Sequence, residues 1–465
     1  MKKKVDYISL GLVGVALVFA LALLTESFPI RANRTYDTYK DELFDPSYVH
    51  EIDIFIEDRE EFFEKAADKD YVRADVIIDG KRISNVGIRT KGNNSLSLVE
   101  KYGLKRHSLK VEFDHYEDGK TYYGLDKVSL DSSFQDNAYM KNMVAMDMMG
   151  FLKVPTPLTS YTKVRINDEP YGLFLAIEEI EEGFAKRNFG LDFGQIYKAS
   201  YRSLDEANYD IKLIYSGDDP KAYRNFFENA KFPTNRDDKT RLIRAIKILN
   251  KGEDLGKYID IDQVLRCFVV LSFTANFDSY FGMTSHNYFL YEKDGRISML
   301  PWDFNLAFAT YPLASPNPTN DPKLFINFPY ITPNRGEIMK NRPLFHVLMK
   351  DEKIFKRYKE LYDYFIREYF ESGYFDKMIK EKSQMIAPYV KADPTAFIDY
   401  EDHKKGVKAF YSFNKLRARC IRGQLDGKIP ATIRDQRKRE DLLIDPGDLE
   451  IEDMGEVEDL RDGYR

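Results

Sequence analysis

NFDSYFGMTSHNYFLYEKDGRISMLPWDFN, residues 276–305, decides how this chain is read. Its second half alternates and breaks at Asp294-Gly295, the pattern of a β-hairpin with a tight turn. Asn287 and Asp303 flank that turn almost symmetrically, so the ladder should bring them together at the hairpin mouth. Asp278 lies just upstream, where a long apolar helix ends. Two oxygen ligands beside a third carboxylate suit a hard cation, because Mg²⁺ binds through one or two carboxylates and leaves the rest to substrate phosphates. A cation or hydrogen bonds would also offset the cost of placing Asp303 between Trp302 and Phe304. The alternative is that Asp303 caps a helix opening at Phe304.

Upstream, residues 51–58, 74–92, 107–113 and 162–180 read as alternating strands, with turns at Asp79-Gly80 and Asn167-Asp168. One helix is expected over 137–149, stopped by Gly150. Later the period changes to helical over 241–250, 261–277 and 355–370, and 311–345 reads as a long ordered loop. Strands first and helices second is an α+β order, with a cleft expected between the two parts.

Composition narrows the class. A net charge of -6 without a basic block argues against a nucleic-acid partner. Two cysteines, Cys267 and Cys420, are too few and too far apart for a zinc cluster; free thiols are favoured, with one bridge left open. The apolar run from Ile8 to Leu24 follows three lysines, so residues 1–28 read as a signal anchor with the remainder outside the cytoplasm, or as a cleaved signal that releases it. Residues 29–48 follow as a linker, 49–185 as a β-rich part, 186–434 as a helical part, and 435–465 as an acidic, disordered tail.

Three further stretches carry chemistry. RTKGNNS (89–95) follows a strand, and its cations and turn amides either attract phosphate or form a solvated turn. Lys110 in HSLKVEF points away from Leu109 and Val111, either toward an anionic partner or into solvent. Glu178 ends the apolar run YGLFLAI, where it either meets a nucleotide or caps the next helix. GxSxG, HExxH and GxxxxGK[ST] motifs are absent.

Taken in order, RTKGNNS, HSLKVEF, INDEPYGLFLAIEEIEEGF, IYK (196–198), NFDSYFGMTSHNYFLY and ISMLPWDFN resemble the spore coat protein H (CotH) family of atypical protein kinases over about residues 50–310. That resemblance implies an atypical protein-kinase-like two-lobed fold after an N-terminal transmembrane helix, binding ATP with Mg²⁺ or Mn²⁺. It implies Asp278 as the catalytic aspartate that orients or deprotonates the substrate hydroxyl, Asp303 and Asn287 as metal ligands, and Arg89, Lys91, Asn93, Lys110, Glu178 and Lys198 as nucleotide-binding residues. The activity implied is γ-phosphate transfer to Ser or Thr of a surface or coat protein, by a kinase held at the cell membrane. Two other functions stay open. One is a catalytically weak scaffold of a spore coat or cell-surface assembly. The other is an adhesion module stacking sugars on Tyr311, Phe325, Phe328 and Tyr330.

Overall fold

The computed structural model describes residues 37–201, 203, 206–311, 321–334 and 336–455. Seven strands come from the first half: β1 (His50–Ile56), β2 (Val72–Ile78), β3 (Lys81–Lys91), β4 (Ser108–Glu112), β5 (Lys127–Asp131), β6 (Thr159–Ile166) and β7 (Glu169–Glu178). They close into a barrel in the order β1-β2-β3-β4-β5-β7-β6. The closing contact is parallel, with Ile52 of β1 opposite Val164 of β6. The Asp79-Gly80 and Asn167-Asp168 turns have positive φ at both central residues, 45° and 79°, then 50° and 65°. That geometry matches the right-handed twist of the flanking strands, which is why Asn, Asp and Gly stand there.

The strand period of two sorts side chains between two cores. Ile52, Ile54, Val86, Ile88, Leu109, Val111, Val128, Leu130, Phe174 and Ala176 fill the barrel. Helix α1 (Tyr39–Glu42) adds Tyr39, and Leu43 and Phe44 follow it into the same core. The outward residues Tyr161, Leu173, Leu175 and Ile177 belong instead to the larger core of the second half.

That second half is built on a three-stranded antiparallel sheet, β10-β9-β8, of β8 (Gln195–Lys198), β9 (Tyr288–Lys293) and β10 (Arg296–Pro301). Around it lie α2 (Lys141–Phe151), α3 (Ile261–Phe273), α4 (Glu352–Phe365), α5 (Tyr374–Lys391) and α6 (Tyr400–Leu425). Helix α3 is buried over most of its length, as its unbroken apolar run requires. A buried ion pair, Arg106 with Asp393, joins the barrel to the segment after α5, and Asp393 also accepts the Leu173 N–H at 2.8 Å.

These observations correct the expected two-lobed, kinase-like fold with a transmembrane helix. The β-rich part is a closed barrel, and the outward face of β6 and β7 shares one continuous core with the helices. The expected membrane anchor, residues 1–28, lies outside the described residues, and among those described no helix is long and apolar enough to cross a membrane. The described part of the linker, 37–48, is packed: Tyr39 and Leu43 are fully buried. The described part of the tail, 435–455, is also folded, because Leu449, Ile451 and Met454 interrupt its acids and are buried. Asn137 N–H bonds the Met454 carbonyl at 3.1 Å. The helix expected over 137–149 starts later, at Lys141, since Tyr139 has φ 59°. The described residues of the 311–345 loop hold short helices, Pro322–Ile326, Gly336–Lys340 and the start of Pro343–Leu348, and Phe325, Phe328 and Tyr330 are core residues, unavailable for stacking on sugars. Both cysteines are free and buried.

Candidate functional site

The outer wall of the barrel carries the charged positions. Register sets Arg89 opposite Lys110, and Lys110 opposite Ser129, in one row across β3, β4 and β5. Two residues along β3 from Arg89 is Lys91, and two along β5 from Ser129 is Asp131. Their inward neighbours Ile88, Leu109 and Leu130 are fully buried in the barrel, so this outward set is fixed by interior packing.

Lys110 finds the anionic partner its position demands. Its Nζ lies 3.0 Å from Glu179, which also accepts the Ser129 hydroxyl. Burial lowers Lys110 to about 8, with Glu179 opposing and Lys91 and Lys231 reinforcing the shift. Burial works against ionisation of Glu179, but Lys110, Lys231 and Lys91 outweigh it and hold the carboxyl below its ordinary range.

Lys198, at the end of β8, enters the same cluster. Burial and then Lys231 push it down, while Glu179 and Asp303 push it up. Lys231 is tied to β8 by its backbone N–H to the Ile196 carbonyl, 2.8 Å, and its Nζ donates to Glu181 at 2.6 Å. The cations of Lys91, Lys198 and Lys231 lie over the rings of Trp302 and Phe289, which meet edge to face at 5.7 Å.

Asp303 sits at this junction. Its φ of 55° and the absence of a helix at Phe304 remove the helix-cap alternative. Burial raises its carboxyl, Lys91 and Lys198 lower it, Asp131 raises it, and the Asn305 N–H lowers it. Asn142 braces the site, since its amide donates to Asp131 at 2.8 Å and its carbonyl accepts Phe304 N–H at 2.6 Å.

Asp278 and Asn287 are brought together differently from the expectation. Asn287 Nδ2 donates to the Asp278 carboxylate at 3.0 Å and to its backbone carbonyl at 2.9 Å. The Asn287 Oδ1 is therefore the atom left to face a cation. Burial, and next the charge of Asp303, raise Asp278 well above the carboxylate range. Its Oδ1 is buried without a hydrogen bond; His286 Nε2 is 3.4 Å away, and the ring is held by Thr284 at 2.7 Å. Burial and Lys198 lower His286 to about 4, so it is neutral at pH 7 and no counter-ion for Asp278. Ala275, Ser285, Asn287, Asp303, Phe308 and Ala309 all have left-handed backbones, a concentration of non-glycine strain of the kind that gathers at functional sites.

Three expected residues lie apart from this cluster. Glu178 has inward parity on β7, like Phe174 and Ala176. It accepts from Tyr39, from Arg187 and from the Leu158 N–H at 3.0 Å, and so holds the barrel end together. The carboxylate that reaches the site is one residue on, at Glu179, and strand parity is the signal that identifies it. Arg89 bonds the Thr90 carbonyl at 2.9 Å and lies over Tyr71. Asn93 accepts from Lys69 at 2.8 Å, just before a helix over Asn94–Lys101. Glu179, Lys231, Ser129, Asp131 and Asn142 were not singled out by motif, and only the folded chain assembles them.

The donor set fits a divalent cation and phosphates. Among the described residues no three His, Cys, Asp or Glu side chains converge on a metal position. The unpartnered Asp278 Oδ1 and the raised Asp278 and Asp303 nevertheless mark carboxylates short of positive charge, which a substrate-borne cation would supply. The lysines opposite supply the field that phosphate oxygens require.

The chain is 23% identical to the inner spore coat protein H of Bacillus subtilis (strain 168) over 366 residues, 77% of this chain and 92% of that one. The family model described as CotH kinase protein matches residues 88–421, from the middle of β3 almost to the end of α6 and across every residue of the cluster. The chain is therefore a member of the CotH kinase protein family.

Proposed function

We propose that this protein is an ATP-dependent phosphotransferase of a spore coat, moving the γ-phosphate of ATP to a Ser or Thr hydroxyl of a coat or surface protein. The observation that carries the proposal is the convergence of Lys91, Lys110 and Lys198 on Glu179 and Asp303. The relative's name, a spore coat protein, supports the location.

Phosphoryl transfer needs positioning and charge neutralisation more than covalent help. Lys91, Lys110 and Lys198 would hold the phosphate oxygens, and Glu179 keeps Lys110 aimed and protonated. Mg²⁺ or Mn²⁺, when bound, would neutralise charge on the phosphates, with Asp303 and the Asn287 Oδ1 as the residues to hold it. Asp278 would accept the proton of the acceptor hydroxyl as that oxygen bonds the γ-phosphorus. The bond from phosphorus to the β–γ bridging oxygen breaks, and ADP leaves. A carboxylate raised by burial is a better base than a solvated one, and such assistance is worth roughly 10²–10⁴ in rate.

The test is transfer of radiolabelled γ-phosphate by the full-length protein to Ser/Thr peptides and a generic protein acceptor, with Asp278→Asn and Asp303→Ala alongside. Label present in the wild type and lost in both variants supports the proposal. ATP binding without transfer to any acceptor would overturn it in favour of a scaffold role.

A further inference from the structure

We infer that Lys141 is a positioning residue that couples the C-terminal segment to the loop carrying Asp303. This deepens the phosphotransferase reading and rests on it for its effect on rate, but its structural half is testable without any activity.

Lys141 is a fully buried lysine at the first turn of α2, and the reaction described above does not use it. Its Nζ donates to three acceptors from three parts of the chain: the Gln135 carbonyl at 2.8 Å, Thr310 Oγ1 at 3.0 Å and the Gly455 carbonyl at 2.7 Å. An ammonium has three protons, so it can serve all three of these acceptors at once. Charge-assisted bonds in a buried setting are the strong kind, and losing one leaves an acceptor without solvent to replace it.

The acceptors lie at informative places. Thr310 follows Asp303 on the same irregular stretch, and Asn142, the next residue of α2, holds the residue after Asp303 through Phe304 N–H. One helical turn thus grips both ends of the segment 304–310. The middle is tied to the segment leading to Asp278, by Phe308 N–H to the Thr274 carbonyl at 2.5 Å and Ala309 N–H to the Ala275 carbonyl at 3.4 Å. Tyr311, next after Thr310, faces the Asp278 carboxyl and lowers it.

Gly455 brings the third partner from the far end of the chain. Its φ is 81°, and a Cβ there would lie 2.9 Å from both the Asn137 side-chain oxygen and the Gln135 carbonyl. Gly406 of α6 is equally tight, its would-be Cβ 2.8 Å from Asn137 Cβ and 3.0 Å from the Asp453 carbonyl. Two glycines therefore admit the C-terminal segment to α2, and Asn137 fixes it with bonds to the Met454 and Asp453 carbonyls. The segment is built in, so that displacing it would free one acceptor of Lys141 and loosen the grip on Thr310.

Two full-length variants test this from opposite sides: Lys141→Met removes the ammonium, and Gly455→Val forces the Gly455 carbonyl away while leaving Lys141 in place. The first measurement is hydrogen–deuterium exchange of the amides of 304–310, with the barrel amides of β1 and β2 as internal reference. Exchange in 304–310 about tenfold faster in both variants, with the barrel unchanged, is the expected result. The second is kinetics: kcat for transfer falls about tenfold or more while KM for ATP is unchanged, because Lys91, Lys110 and Lys198 sit on other elements. Unchanged exchange in 304–310 in folded Gly455→Val overturns the coupling, whatever Lys141→Met does. If Lys141→Met fails to fold, Gly455→Val alone decides. If the wild type transfers no phosphate, the phosphotransferase reading fails by itself and the exchange result still stands for or against the coupling.

Discussion

Glu178 and Glu179 are adjacent in sequence and opposite in consequence, and substituting each in turn tests how the barrel wall assigns them. Glu178→Ala deletes an acceptor inside the barrel end. It leaves the Tyr39 hydroxyl and the Leu158 N–H without their partner, and Arg187 with only the Thr156 carbonyl at 2.9 Å. Breaking a buried pair from one side costs about 3–5 kcal/mol, and Arg187 keeps slight exposure, so about 3–4 kcal/mol is expected. Glu179→Ala removes the partner of Lys110 instead. Lys110 already sits at about 8, so at pH 8.5 it can shed its proton, and the stability loss should stay near ~1–2 kcal/mol. Nucleotide affinity should show the reverse order, since Lys110 without Glu179 carries less charge to offer a phosphate. The assays are urea unfolding of the full-length protein at pH 8.5 and titration with a fluorescent ATP analogue. Equal destabilisation by both substitutions, or loss of nucleotide binding only in a stably folded Glu178→Ala, would refute the inward–outward assignment.

Further expectations follow from the titrating groups. Nucleotide affinity should fall as pH rises through about 8, where Lys110 loses its proton, and Lys110→Met should flatten that step; isothermal titration at pH 7 and 9 measures it. Without ligand the same group acts on stability in the other direction. Between about 8 and its unfolded value of 10.5 the folded state binds fewer protons, so its contribution to stability rises with pH. Asp278→Asn and Asp303→Asn should each raise the melting temperature at pH 7 in the absence of divalent cation while abolishing transfer. Both carboxyls are raised by burial, so ionising them as pH rises costs stability, and the gain should vanish at low pH where both are protonated. Asp126 is raised from 3.8 to about 7 by burial and then by Glu181, so the advantage of Asp126→Asn over the wild type should be full at pH 8, smaller at pH 5 and gone below 3.8, by calorimetry.

What the sequence made legible was local. Each tight turn it marked, Asp79-Gly80, Asn167-Asp168 and Asp294-Gly295, is a turn with left-handed residues, because only small or Asx residues tolerate that backbone. Strands β1, β2, β3, β4, β6, β7 and the β9–β10 hairpin were visible in their alternation and turns. Barrel closure was not, since it depends on β1 pairing with β6 more than a hundred residues later, and no local pattern encodes a parallel contact between distant strands. Within the site, Lys91, Lys110, Lys198, Asp278 and Asp303 were legible as motif residues. Glu179 was hidden by its neighbour: the motif drew attention to Glu178, while counting back through Ala176 and Phe174 assigns Glu178 inward. The short strand β8 and the folded acids of 440–455 were missed because four residues carry little periodicity and three apolar side chains are diluted among many charges.

The site is held by two different physical means, and they predict where it is sensitive. Its lysine wall stands on a closed barrel, whose register is fixed by Ile88, Leu109, Val111 and Leu130 packing inside. A closed sheet has no edge to slip, so Lys91 and Lys110 keep their spacing as long as that interior stays filled. Asp278 and Asp303 stand on irregular backbone with left-handed residues, which costs conformational energy at each position. That part cannot hold itself. It depends on buried polar contacts from α2, through Lys141 and Asn142, and on the 274–275 carbonyls. Shaving a methyl group from the barrel core should therefore lower stability with little effect on the geometry of the acids. Removing one buried bond at the start of α2 should leave the barrel intact and displace the acids. On the proposed function, an arrangement in which the lysine wall is rigid and the acid-bearing loop is held by replaceable bonds would place control of transfer at the loop, and the C-terminal segment is a distant part of the chain that reaches it.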